Sequence, residues 1–453
     1  MKVLLAFAGS RGDAQPGALL GRELAARGHR VTVAVSPNLV EFAAGYGVSA
    51  VPCGVDTGEL LRAQQLDRRF ASWNPVQRMR ALVDLQRRGF AEAARDLRAL
   101  AGDAEVLVTG MACEELAAEI ARSRGIPLAA MHFFPIRPNR SVPVVPAPWG
   151  RRVPDAMNRL GWRTLTKVRA WSLAREIAAL EGELRDDSRA DSGAEFPART
   201  AIQAYDIELF PGLAEELAGA PVTGFPVVPG ADADDRTSHI PADAVPRLLA
   251  EWLRAGDAPV YAGFGSMPVA DPVAVERLVR EVCRSQGRRV LLTGSMFPAE
   301  ISPRAAVLPQ VDHRAVLPRC AVAIHHGGAG TTAAALRAGV PSVICSVQAD
   351  QPFWGRQLET LGLGATLPFA QLTADRLERA LIRATEPTVM LRASAYGLRF
   401  HDDGVARAAD VIESLPSTAE RDSATPQANS VSPETAPAAQ PSDVATLRIG
   451  GTR

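Results

Sequence analysis

The stretch with the clearest chemical meaning is Ala321-Val-Ala-Ile-His325-His326-Gly327-Gly328-Ala329-Gly330-Thr331-Thr332, an apolar run that ends in two histidines and a glycine-rich turn before an Ala-rich helical pattern. The first amides of a helix have no acceptor inside it, the helix dipole is positive at that end, and glycines let the backbone approach oxygen anions closely. A diphosphate fits such a turn. The helix, read over 331–338, ends at Gly339-Val340-Pro341, which returns the chain to a buried strand. The turn is therefore expected at the carboxyl edge of a sheet, where open α/β folds bind ligands. The plain alternative is a glycine turn beside a core histidine, but two adjacent histidines at a bare helix start are poorly explained by packing.

Four other polar turns accompany it. Gln348-Ala-Asp350-Gln351-Pro352-Phe-Trp354 opens a helix at Pro352, so Asp350 reads equally as an N-cap or as a ligand-facing carboxylate. Gly263-Phe-Gly265-Ser266 offers amides and a hydroxyl after a short apolar run, and Met131-His132-Phe133-Phe134 ends another, with His132 either a cleft residue or a satisfied core histidine. Near the start, Gly9-Ser10-Arg11-Gly12-Asp13 follows an apolar strand, and by spacing alone Asp13 reads as a solvated acid paired with Arg11.

The elements that must hold these turns alternate strand and helix. Residues 2–8 read as a strand, Pro16 to Gly28 as a helix, 30–35 as a strand with Ser36-Pro37 behind it, then strands at 105–109 and 127–131 separated by a helix over 112–124 closed by Gly125. The pattern restarts with a strand at 259–263, a helix capped by Asp271, and strands at 289–293, 321–325 and 341–345. Such alternation implies parallel, doubly wound sheets. Between the two units, residues 221–246 carry five prolines and the acids Asp232, Asp234 and Asp235, a linker composition that puts the boundary near Gly230. Asp232-Ala-Asp234 has the DxD spacing of metal-dependent transferases, but no strand leads into it. From 139 to about 200 the alternation lapses into a Pro-rich insertion and an amphipathic helix around Trp162–Leu184. This helix and its approach carry Arg151, Arg152, Arg159, Arg163, Lys167 and Arg169, which reads either as a solvated face or as a weak peripheral membrane contact. The last 38 residues, Pro416–Arg453, are too poor in large apolar groups to offset their ordering entropy and are expected to be disordered.

Composition narrows the function classes. Fifty Lys and Arg balance fifty Asp and Glu, which gives no overall attraction to nucleic acid. The five cysteines, Cys53, Cys113, Cys283, Cys320 and Cys345, form no CxxC pair, so no zinc knuckle or redox motif is readable and all five are expected as reduced packing residues. The apolar run Val3–Ala8 is shorter than a signal-peptide core or a membrane span, and a cytoplasmic location is expected. Gly9-Ser-Arg-Gly12 lacks the GxGxxG spacing of a dinucleotide-dependent oxidoreductase.

Taken together, HHGGAGT at His325–Thr331, the Asp350-Gln351 pair and GSRGD at Gly9–Asp13 resemble the nucleotide-sugar-dependent glycosyltransferases of the GT-B fold, in particular the antibiotic, glycolipid and sterol glycosyltransferase family. The resemblance omits only the tail. It implies an α/β chain of two Rossmann-like domains flanking a cleft, with acceptor binding in 1–230, nucleotide-sugar binding in 231–415 and a tail over 416–453. By the same resemblance, His326, Gly327, Gly328, Gly330 and Thr331 hold the donor diphosphate, Gly265 and Ser266 add phosphate contacts, Gln310 lies near the base, and Asp350 and Gln351 face the sugar. Ser10 and Arg11 share the loop of Asp13, the expected general base, and His326, protonated or hydrogen-bonding, is expected to steady the leaving diphosphate in a single inverting displacement. His132, Phe133 and Phe134 are expected on the acceptor side, facing a lipid or natural-product hydroxyl. Neither metal nor cofactor is expected, the nucleotide sugar being a co-substrate. Two positions depart from members that use uridine donors: Val307 stands where they carry a base-stacking Trp, and Ala334 where they carry a ribose-binding Glu. A dTDP-deoxysugar such as a rhamnose donor is therefore expected over UDP-glucose. The alternatives are a UDP-hexose-dependent sterol or lipid glucosyltransferase, a nucleotide-sugar epimerase and a silent sugar-nucleotide-binding partner protein.

Overall fold

Val3-Leu4-Leu5-Ala6 is apolar at every position because the strand it forms is covered on both faces. This strand, β1 (Lys2–Ala6), sits mid-sheet with β2 (Arg30–Val35) and β3 (Ala50–Pro52) on one side and β4 (Val106–Gly110), β5 (Leu128–His132) and β6 (Arg199–Gln203) on the other, in the order β3-β2-β1-β4-β5-β6 and all parallel. Alternate side chains feed different cores. Val3, Leu5 and Phe7 pack with Leu20, Leu24 and Ile412, whereas Leu4 and Ala6 pack with Leu97, Leu116 and Ile120. These coordinates are a computed structural model that describes residues 1–67, 69, 75–147, 149–187, 199–228, 247–265, 267, 269 and 271–416.

The second sheet is built from β7 (Val260–Gly263), β8 (Val290–Thr293), β9 (Glu300–Ile301), β10 (Ala305–Leu308), β11 (Val322–His325), β12 (Ser342–Ser346) and β13 (Gly364–Pro368), in the order β13-β12-β11-β7-β8-β10-β9. Among the described residues, only the edge strand β9 runs antiparallel. Strand order reverses direction between β1 and β4 in the first sheet and between β7 and β11 in the second. A crevice opens at such switch points, and the turns after β1, β7 and β11 are the ones singled out by their residues.

Several expectations change in detail. The first helix begins at Arg11, not Pro16, because Ser10 and Asp13 form a capping box that starts the helix a turn earlier and leaves Pro16 inside it. The single helix expected over 162–184 is two, Asp155–Ser172 and Ala174–Asp187, broken at Leu173. The last helix, Gly404–Glu413, does not stay with the second sheet: its stripe of Val405, Ala408, Ala409 and Ile412 is buried, and the last three join the first sheet's core. Arg27 Nη1 donates to Asp410 Oδ1 at 2.6 Å and to Glu413 Oε2 at 2.8 Å, fixing that crossing. The expected boundary near Gly230, the DxD at Asp232 and the tail after Pro416 lie outside the described residues. The five cysteines are buried and unbridged, and burial raises the Cys53, Cys283 and Cys345 thiols to about 12, as packing residues require.

An aromatic core joins the two halves. Phe134, Trp162, Tyr205 and Phe210 from the first pack against Trp354, Leu358 and Tyr396 from the second, with Phe353 4.9 Å from Phe134 between ring centroids.

Candidate functional site: a cleft between the two sheets

A cleft of about 2770 Å³ lies between the carboxyl edges of the two sheets and takes lining residues from both. On the first sheet, Gly9 is held by Ser36, whose Oγ accepts from the Gly9 amide at 3.0 Å, and by Thr57 Oγ1, which donates to the Gly9 carbonyl at 2.9 Å. Asp13 Oδ2 accepts from the Ser10 amide at 2.8 Å and the Ser10 hydroxyl at 2.9 Å, so the capping box that starts the helix also fixes this carboxylate. A Cβ on Gly9 would lie 2.4 Å from Asp13 Oδ2, which explains the glycine. Desolvation pushes the Asp13 carboxyl up, and the Ser10 hydrogen bonds only partly offset it. Arg11 does not pair with it: its guanidinium lies over the Phe42 ring, 4.4 Å from the centroid. The reading of Asp13 as a solvated acid bound to Arg11 is thereby removed.

On the second sheet, β11 ends in His325 and His326. His325 is fully buried, and its Nδ1 accepts from the Gly327 amide at 3.1 Å, closing the turn. Gly327 itself has a positive φ of 92° and is not among the lining residues; its place is behind the turn, against Ile344 and the Gln351 carbonyl. The first helical hydrogen bond runs from Thr332 to the Gly328 carbonyl, so the amides of Ala329, Gly330 and Thr331 have no acceptor within the helix, and all three residues line the cleft. The His326 ring fits between two backbones. A Cβ on Gly265, whose φ is +63°, would lie 2.9 Å from His326 Cε1, and one on Gly328 would lie 2.6 Å from Nε2. Burial, and secondarily His313, holds His326 down at about 4. That favours the neutral imidazole, so of the two expected forms of His326, protonated or hydrogen-bonding, the site favours the second.

The Asp350 turn approaches from β12. Asp350 does not cap its helix with its side chain; its Oδ2 accepts instead from Trp354 Nε1 at 3.0 Å. Burial raises its carboxyl to about 6, the Trp354 hydrogen bond working against this and the charge of Asp13 adding to it. The two carboxylates therefore share one region of the cleft. Gln351 Oε1 accepts from the amides of Val347 and Gln348 at 2.8 and 3.2 Å, tying the loop back on itself. Ala349 sits at φ 54°, a left-handed conformation that costs energy in a residue with a Cβ.

Gln310 is exposed at the cleft, after β10, but Val307 is 1% exposed in the second core and is not among the lining residues. Its strand register turns the side chain into packing, so Val307, which the resemblance puts at the base-stacking position of the donor site, does not face the cleft. Ser266 lies outside the described residues. His132 is buried yet borders the cleft; its Nε2 is 3.1 Å from Glu114 Oε2, and its Nδ1 has no hydrogen-bond partner among the described residues. Phe133 borders the cleft near Phe7, and Phe134, 2% exposed, spends most of its surface in the aromatic junction.

Two groups were missed from sequence. Glu114 is buried and would be raised by that burial, but His132 and Arg199 outweigh it and hold the carboxyl at about 2. In sequence, Glu114-Glu115 is indistinguishable from the acidic first turn of an ordinary helix. His313, whose Nε2 is 2.7 Å from Tyr261 Oη, is likewise cleft-lining and pushed down to about 4 by burial and then by Arg11; it follows Asp312, which reads only as an N-cap.

Comparison with known proteins agrees with this geometry. Residues 296–416 match the family model of the erythromycin biosynthesis protein CIII-like C-terminal domain. An uncharacterised glycosyltransferase of Mycobacterium tuberculosis strain H37Rv is 36% identical over 424 residues, covering 91% of this chain and 98% of its own. The vancomycin aglycone glucosyltransferase of Amycolatopsis orientalis is 30% identical over 426 residues, covering 91% of this chain and 97% of its own. Among solved structures, the spinosyn rhamnosyltransferase SpnG complexed with thymidine diphosphate superposes with a TM-score of 0.60 at 17% identity, covering 90% of this chain and all of that one. With two Rossmann-like sheets, a bare helix start at the second switch point and these relatives over nine-tenths of its length, the chain belongs to the antibiotic-type, nucleotide-sugar-dependent glycosyltransferases of the GT-B fold.

Proposed function

We propose that the protein is an inverting glycosyltransferase that moves a deoxyhexose, such as rhamnose, from a dTDP donor to a hydroxyl of a lipid or natural-product acceptor. The observation that carries this reading is the fixed, desolvated Asp13 carboxylate at the first switch point, facing the same cleft as the helix start at Ala329–Thr331. In the single displacement, the acceptor oxygen bonds to the anomeric carbon as the bond from that carbon to the diphosphate oxygen breaks. The acceptor proton passes to Asp13, whose raised pKa makes it the stronger base, and the charge arriving on the diphosphate is met by the three helix amides and His326. Asp350 and Gln351 hold the sugar hydroxyls, and His132 Nδ1 is a hydrogen-bonding point for the acceptor. These groups need no metal ion for the transfer, so a chelator is expected to leave turnover unchanged.

Asp13→Asn tests the mechanism: turnover should fall by at least about a hundredfold while nucleotide binding is retained, and NMR of the product should give the anomeric configuration opposite to the donor's. Retention of configuration, or full activity in the variant, overturns it. For the donor, Ala334 in place of a ribose-binding carboxylate and the thymidine diphosphate complex of the spinosyn enzyme support dTDP. The likeness to two glucosyltransferases, one for the vancomycin aglycone and one for sterols, favours glucose as the sugar, and with it the second reading, a UDP-hexose-dependent sterol or lipid glucosyltransferase. Competition of dTDP against UDP in thermal-shift binding separates the two, and tighter UDP binding removes the first.

A further inference from the structure

The helix Asp155–Ser172 has two unlike sides. Asn158, Trp162 and Ser172 are buried, and Trp162, Leu165, Thr166 and Arg169 border the cleft beside His132 and Phe133. On the far side, Met157, Leu160 and Trp171 are 59%, 62% and 73% exposed, and Trp149, just ahead of the helix, is 56% exposed. With 3.6 residues per turn, positions 157, 160, 164, 168 and 171 fall in one stripe about 80° wide, and Thr164 and Val168 complete it. Isolated exposed apolar residues are ordinary, but an indole, a thioether and an isobutyl group aligned on one helix face are not.

The charge around the stripe is one-sided. Asp155 is the helix's only acid, against Arg159, Arg163, Lys167 and Arg169. Arg169 is turned inward, its Nη2 2.8 Å from Glu115 Oε1. Arg163 and Lys167 are exposed along one edge of the stripe, and the exposed Arg152 and Arg175 flank its two ends. An isologous contact between two copies would bring Arg163 and Lys167 of each against the other, which disfavours a second copy as the occupant. A bilayer with anionic headgroups satisfies both halves of the pattern, since apolar side chains and indoles enter the headgroup region while the cations meet lipid phosphates.

We propose that this face docks the protein on an anionic lipid surface. Because the same helix borders the acceptor half of the cleft, docking sets that half beside the bilayer, where a hydrophobic acceptor concentrates. The docking itself does not depend on which sugar or acceptor is used, and it is read without turnover.

The test mixes the full chain with phosphatidylcholine vesicles, with and without phosphatidylglycerol, and pellets them. Binding is expected to the anionic vesicles alone and to weaken with added salt, which screens the cations. Leu160→Ser with Trp171→Ser should abolish it. Arg163→Glu with Lys167→Glu should weaken it by more than twentyfold, at roughly fivefold for each cation lost. Thermal melting of each variant, unchanged because all four side chains are exposed, separates lost docking from lost folding. The proposal is overturned if wild type ignores anionic vesicles, if the folded variants bind them as well as wild type does, or if the wild type instead self-associates through this face.

Discussion

At the level of single residues, the site depends on how far each ionisable group is taken from water. Asp350 is raised from an ordinary 3.8 to about 6, so folding favours its protonated form. That contribution is complete below about pH 4 and is lost as pH rises through about 6, where a half-buried carboxylate must ionise near Asp13. Asp350→Asn, which keeps an acceptor for Trp354 Nε1, should therefore raise Tm by a few degrees at pH 8 and leave it unchanged at pH 4, while sugar-donor affinity falls. Melting curves at the two pH values check this, and an equal gain at both would mean that Asp350 is not desolvated in the fold. His326, neutral above about pH 4, contributes no limb to the neutral pH range, so the acid limb of kcat/KM belongs to carboxylate ionisation and should lie above the usual range for Asp. The turn at His326 and Gly328 was legible in sequence because glycines and histidines at a strand-to-helix turn are rarely there for packing alone, whereas Asp13 read by spacing as a solvated acid and was singled out only by the resemblance. Glu114 was not legible, because its role depends on His132 and Arg199 reaching it from β5 and β6, and no local spacing encodes such a meeting.

At the level of elements, the turns after β1, β7 and β11 work because each is tightened by a contact that a sequence pattern does not contain. The Gly265 turn and the helix start at Gly328 close on the two sides of the His326 ring. Gly265→Ala puts a Cβ 2.9 Å from His326 Cε1 and places that residue at φ +63°, so both sterics and backbone strain press on the imidazole. Nucleotide affinity should drop about tenfold or more with little change in Tm, because the turn rather than the sheet absorbs the shift. Isothermal titration with dTDP reads the affinity, and unchanged binding would remove His326 from the diphosphate site. The strands toward the middle of each sheet were readable, since parallel strands covered on both faces must be short apolar runs with glycine or proline at their ends, whereas β3, β6, β9, β10 and β13, toward the sheet edges, were not picked out. Helix starts were less readable. Pro16 looks like a first position, yet the Ser10–Asp13 box outcompetes it, and the helix accommodates a proline at the expense of one hydrogen bond.

At the level of the whole molecule, the cleft takes its lining from both sheets, and two structures tie those sheets together, the first of them bordering the cleft itself. One is the aromatic junction around Phe134, Phe353 and Trp354; the other is the C-terminal helix, which leaves the second half to complete the first sheet's core. The domain bounds implied by the resemblance, 231–415, put that helix in the second unit, but its apolar stripe packs elsewhere: Ala408, Ala409 and Ile412 join the core that holds Val3, Leu5 and Leu20. Ile412 is fully buried there, so Ile412→Ala should cost about 2–5 kcal/mol, from lost transfer energy and from the cavity left behind. The location of that loss distinguishes this arrangement from the one expected in sequence. Amide hydrogen exchange in the variant should accelerate in β1, β2 and the helix Arg11–Ala26, while β11 and β12, which share no core with Ile412, keep their protection. Faster exchange confined to the second sheet would return the helix to that unit. Faster exchange in both would instead mean that the two sheets unfold as one cooperative body, with the helix serving as a strap between them rather than as part of the first core.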